Sequence, residues 1–280
     1  MKLSGLVGLF RAAPSAPAGL DGKMALADHF RELRARLMRS VLAIVIAVTA
    51  SFFFYDQLID LVTAPYRQAL DMLGDEADSR IYVSGVGGGL MLQLKLCGVA
   101  GLVISSPIWL GQIWGFIVPA LHRHEKKWSY VFMAVAGPLF VAGVATSYYV
   151  LPKAMQVLIS FTPAGMENLN DFDNFFSFIT RMLLVFGIAF EIPLFVVMLN
   201  LVGVVSGEQL GRYRSWIIMG TFIFAAVATP STDPFAMTFL AVPMVVLFLI
   251  SEVIARLVDK SRARTKALAP RISDDEASVI

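Results

Sequence analysis

The chain has 280 residues, 57% of them hydrophobic and 16% charged, with mean hydropathy +0.71 and a formal net charge of +2. Soluble domains carry about a quarter of their residues as charges, so this composition excludes a soluble domain and reads as a protein that crosses a bilayer repeatedly. A single cysteine, Cys97, excludes an intramolecular disulfide and, in an apolar run, reads as an inert core thiol.

Residues 1–27 form a tail rich in Ala and Pro. Its apolar patch is short and broken by Gly5 and Gly8, so a disordered tail is favoured over a cleavable signal, and Met24 is a second candidate start. Asp28 is expected to cap a helix that runs through Arg31, Arg34, Arg36 and Arg39 into a first span over residues 37–55. That span ends in Phe52, Phe53, Phe54 and Tyr55, aromatics of the kind found at headgroup level. An acidic loop follows to about residue 89, within which Pro65 is expected to open a short surface helix. Gly85, Gly87, Gly88 and Gly89 precede a second span, 90–118, which Pro107 should kink.

The turn PALHRHEKK leads to a third span, 128–151, containing Pro138. The next loop is again acidic, with Glu167, Asp171 and Asp173 against Lys153. A fourth span, 175–201, carries Glu191 and Pro193 in its interior and Arg181 near one end. Ser206 and Gln209 have the spacing of a capping box that opens a connector bearing Arg212 and Arg214. The fifth span, 215–229, is only about 22 Å long at 1.5 Å per residue, well short of a hydrocarbon core. The turn TPSTDP separates it from the sixth, 235–258, and residues 259–280 form a basic then acidic tail.

Lys and Arg gather before the first span and after the second, fourth and sixth, while the alternate loops are acidic. The positive-inside rule then puts both termini in the cytoplasm of a six-span, all-α protein. Pro107, Pro138, Pro193 and Pro243 each bend a span, which favours a concave, cup-like bundle.

Three acids stand out. Glu32 lies among the arginines before the first span, and Glu125 sits in the equally basic HRHEKK turn. Each has a plain reading, Glu32 as an i,i+4 pair with Arg36 and Glu125 as a solvated turn residue. Together, at the cytoplasmic ends of neighbouring spans, they would make an acidic receptor for guanidinium groups. Glu191 is deep in its span, so it is neutral, paired or facing a polar cavity. The remaining signals are weak. The Gly85–Gly89 run is no phosphate loop, His29, His122 and His124 lack the spacing of metal ligands, and no G-x-S-x-G elbow is present.

HFRELRARL, SSPIWLGQIWGFIVPALHRHEKK, FGIAFEIPLFVVMLN and ATPSTDPFAMTFLAVPM, in this order, resemble the TatC family of twin-arginine protein translocases. The resemblance implies a receptor in the bacterial cytoplasmic membrane that binds twin-arginine signal peptides and scaffolds the passage of folded proteins. It also implies that Glu32 and Glu125 receive the two arginines, with Phe116 lining the approach and Arg34 in the same patch. Glu191, next to Pro193, matches a buried acid that meets small single-span partners of the TatA/TatB type. Pro65 and Asp233 match loop positions on the periplasmic side. It implies a homo-oligomer within the receptor complex, no nucleic acid, no metal or cofactor, and no enzymatic activity. Met237 stands where some members have glutamine, and His122 where some have tyrosine. The alternative is a proton-coupled secondary transporter titrating Glu191; a membrane enzyme ranks third.

Overall fold

A computed structural model describes residues 26–74, 79–121, 126–163, 168–229 and 234–268. Among them are ten α-helices, one 3-10 turn and two short strands. Four helical stretches, Phe30–Leu73, Val131–Ser160, Phe172–Val202 and Pro234–Arg264, are long and apolar enough to cross a membrane. A bent helix pair makes a fifth, and a 15-residue apolar helix is the shortest of the set.

Helix α1, Leu26–Ser51, starts before Asp28, which therefore lies inside the helix rather than at its cap. The three phenylalanines form the 3-10 turn Phe52–Phe54, and helix α2, Tyr55–Leu73, follows without a loop. Pro65 accordingly does not open a surface helix; it is buried in the second half of α2. A proline there frees the carbonyl four residues earlier. That carbonyl, of Leu61, accepts a hydrogen bond from the Tyr148 hydroxyl at 2.9 Å. The residue is tolerated because a neighbouring helix supplies the donor that its ring removed.

The second span is α3, Gly88–Ile104, and α4, Ser106–Leu121, bent by 54° at Ser105, two residues before Pro107. The break is stitched locally: Ser105 Oγ donates to Gly101 O at 2.7 Å and Trp109 Nε1 to Leu102 O at 3.0 Å. Helix α1 packs against both halves. The closest approach is at Gly101, where a Cβ would fall 2.6 Å from the Val48 backbone nitrogen. Helix α5, Lys126–Ser160, runs 35 residues through Pro138 and Pro152, nine beyond the expected end at 151. It packs along α4 and, on its other side, along α6, Phe172–Ala189.

The fourth span is not continuous. It breaks at Phe190 and Glu191, after which α7, Ile192–Val202, begins with Pro193 at its second position and ends at Gly203, φ +81°. Ser206 and Gln209 form the expected capping box at the start of α8, Gly207–Arg212. The short helix α9, Arg214–Ala228, then leads to α10, Pro234–Leu268, which carries the basic segment beyond residue 258 in helical form.

The strands were unforeseen in an all-α reading. β1, Ser79–Tyr82, pairs in parallel with β2, Asn168–Asp171, Ser79 facing Asn168. Tyr66 and Ser79 share a hydrogen bond of 2.7 Å, and Ser84 donates to Asp171 at 2.9 Å. Asp171 also caps α6 by accepting from Asp173 N. The larger core joins Tyr66 of α2, Leu96 of α3, Met155 of α5, Phe175 and Phe186 of α6 and Leu240 of α10. A second core, at the other end of the bundle, holds Leu110, Trp114, Phe132, Phe140 and Met198.

Candidate functional site

One turn of α1 separates Glu32 from Arg36, which places both on the face turned to α4. Arg36 Nη2 and Nε both donate to Glu32 Oε1, at 2.6 and 3.0 Å. Arg36 Nη1 donates to the Gln112 carbonyl of α4 at 3.4 Å, so the pair is also a bridge between two helices. Its side chains are 20% and 31% exposed, well below a free surface pair. Arg34, two residues earlier than Arg36, is exposed. Phe116 lies one helical turn beyond Gln112 in α4 and is partly buried. Glu125, His122 and His124 lie outside the described residues, in the connection 122–125, so the geometry of the expected carboxylate pair is not on view. Asp233, in 230–233, is likewise outside them.

Glu191 sits in the break between α6 and α7, where the Trp114 indole donates to its Oε2 at 3.0 Å. Its Oε1 is buried with no partner among the described residues. Among the described residues the acid's hydrogen-bond partner is an indole N–H from α4. Trp114 stacks on Phe132, ring centres 5.6 Å apart, which fixes the indole's direction. The same helix thus carries Phe116 and the residue that holds Glu191. Arg181 is exposed and ten positions away, too far along the axis to pair with it. Pro193 supports the break, since it cannot donate a backbone hydrogen bond to the end of α6. Pro65 lies buried in α2, next in sequence to Tyr66 of the larger core. Met237 packs against that core as an apolar residue.

A third charged cluster had not been singled out. Glu252 of α10 is 2% exposed and accepts from Arg214 Nε and Nη2 at 3.0 and 2.8 Å and from Arg256 Nε at 2.9 Å. Two turns further along α10, Asp259 accepts from Asn200 Nδ2 and from the backbone of Gly207, both at 2.7 Å. Arg262 covers the last carbonyls of α7, donating to Asn200 O at 3.0 Å and Leu201 O at 2.8 Å. Together these contacts fasten the connector between α7 and α9 to the extended end of α10. The spacing of Glu252 and Arg256, four apart, was the available signal, the same one that marks Glu32 and Arg36.

The family described as Sec-independent protein translocase protein (TatC) matches residues 28–243. The chain is 39% identical over 267 residues to the Sec-independent protein translocase protein TatC of Frankia casuarinae, a match that covers 92% of this chain and 73% of that one. It is 32% identical over 241 residues to the TatC protein of Escherichia coli K12, covering 85% of this chain and 91% of that protein. A crystal structure of the twin arginine translocase receptor TatC superimposes with a TM-score of 0.69 at 31% identity, over 82% of this chain and 98% of that one. On the family match over most of the chain, the similarity to these relatives and the superposition, this chain belongs to the TatC family of Sec-independent protein translocase proteins.

Proposed function

We propose that this chain binds twin-arginine signal peptides at the face where α1 begins and α4 ends, and that it scaffolds the passage of folded cargo. One observation carries the reading: the Glu32 carboxylate already holds a guanidinium in a slot between α1 and α4. A peptide arginine presents the same fork of donors to the same oxygen acceptors. Phe116 offers an apolar wall one turn from that slot, and Arg34 adds to the cationic rim. Glu125, in the connection between α4 and α5, is the second carboxylate, so that two guanidinium groups of one peptide are read together. The chain spans the bacterial cytoplasmic membrane six times, α9 being the short fifth span, with both termini in the cytoplasm. Pro65, Asp233 and the strand pair then lie on the periplasmic side.

Glu191 and Pro193, at the break of the fourth span, are the docking position for small single-span subunits of the TatA/TatB type, and several copies of the chain share the receptor complex. The chain acts by binding, not by catalysis. The transporter reading of Glu191 is dropped, because the family is one of protein translocases. Charge reversal, Glu32→Lys or Glu125→Lys, abolishes cross-linking to a peptide bearing Arg-Arg while leaving membrane insertion intact. Unchanged cross-linking in both variants refutes the site.

A further inference from the structure

We propose that Arg36 is a built-in occupant of the Glu32 site, a tethered competitor that an arriving peptide arginine must displace. This rests on the reading of Glu32 as a receptor carboxylate.

Arginines at the margin of a span ordinarily extend their heads to water. Arg36 does not. Its side chain is 20% exposed, and its guanidinium lies between Glu32 Oε1 and the Gln112 carbonyl. The space it fills exists because residue 115 is glycine: a Cβ there would overlap Arg36 Nη1, and Met133 Sδ closes the same spot from α5. Both of its bonds to the carboxylate end on Oε1. Oε2 is left with no hydrogen bond among the described residues, so an arriving donor has an oxygen to engage before Arg36 leaves.

The exchange is one guanidinium for another, so the chemistry at Glu32 is nearly balanced. The resident group is tethered, which gives it an effective concentration of the millimolar order. A peptide offering one arginine therefore gains almost nothing there. A lysine does worse, because its point charge cannot reproduce the fork that Arg36 presents. A resident competitor thus divides the affinity of every cation at Glu32 by the same factor, which lowers the gain from any peptide arginine taken up there.

A purely structural role for the pair has the opposite sign. If Arg36 only holds Glu32 in place, its loss weakens every peptide. The experiment uses the purified full-length chain in nanodiscs and fluorescent signal peptides bearing Arg-Arg, Lys-Arg or Lys-Lys. Arg36→Gln is expected to bind the Arg-Arg peptide roughly two- to fivefold tighter, the range of a partly exposed ion pair. It should leave the preference for Arg-Arg over Lys-Arg unchanged or widen it, with the affinity of Arg36→Lys in between. Weaker binding of all three peptides, or no change in affinity, overturns the proposal.

The unsubstituted chain supplies a second measurement. Its Arg36 Nε–H resonance, assigned by difference from Arg36→Lys, should shift as the Arg-Arg peptide saturates. A resonance that stays fixed at saturation overturns the proposal whatever the variants do. Glu32→Gln separates the two readings: binding lost there, with Arg36→Gln unchanged, removes Arg36 alone, whereas full binding in Glu32→Gln removes the receptor site and the inference with it.

Discussion

Replacing Glu252 with glutamine tests how the connector between the fourth and fifth spans is held. The carboxylate is 2% exposed and receives three hydrogen bonds from two arginines, all between 2.8 and 3.0 Å. Removing one member of a fully buried ion pair costs about 3–5 kcal/mol, because the other is stranded. Here the arginines are 49% and 53% exposed, so water takes up much of what they lose. The expected cost of Glu252→Gln is therefore lower, about 2 kcal/mol. At about 2–4 °C per kcal/mol for a chain of this size, Tm should fall by roughly 4–8 °C. The loss should also be local. Arg212 and Arg214 lie on the released connector, so limited trypsin digestion of the purified protein should cut there sooner. Arg214→Gln or Arg256→Gln alone should cost less, since Glu252 keeps the other partner, and the double variant should cost more than the sum of the two, since it strands the buried carboxylate. A Glu252→Gln protein with Tm within about 1 °C of the parent and an unchanged tryptic pattern refutes the reasoning.

Trp114→Phe keeps a ring against Phe132 but takes away the donor to Glu191 Oε2, leaving that acid without a hydrogen bond among the described residues. It should cost about 1–3 kcal/mol, read as a lower Tm of the purified protein. Gly101→Ala should destabilise the α1–α3 contact and lower the amount of protein accumulated in membranes, because its Cβ meets the Val48 backbone. Gly98→Ala, on the same helix with open space around it, should be neutral or stabilising. Tyr148→Phe should cost about 1 kcal/mol by orphaning the Leu61 carbonyl. In a Pro65→Ala background the restored helical N–H serves that carbonyl, so a double-mutant cycle of Tm values should show the Tyr148 effect shrinking.

The apolar runs, which a bilayer demands, made the helical segments readable, and Pro107 located the bend of the second span to within two residues. Pro65 misled because its favourable place at a helix start is only one of its options. A distant tyrosine lets it sit inside, and no local pattern announces that donor. The break at Glu191 follows from Pro193, but its partner Trp114 is 77 positions away and looks like any span aromatic. Glu32 and Arg36 were visible as a pair, yet the contact of Arg36 with α4 was not, since it depends on a backbone carbonyl and on the absence of a side chain at Gly115. The strand pair was hidden for a related reason. Four-residue strands in acidic segments have no pattern of their own and are defined only by each other.

That mutual dependence orders events during synthesis. Ser84 and its partner Asp171 are 87 positions apart, and three helices emerge between them. At about 5–20 residues per second, the ribosome needs roughly 4–17 s to cover that distance. Throughout that interval β1 is a strand edge with no mate, the kind of segment that pairs wrongly when left open. Only when β2 follows α5 into place is the first half of the bundle tied to the second, so a nascent chain halted before Asn168 lacks this clasp however completely its earlier helices have inserted.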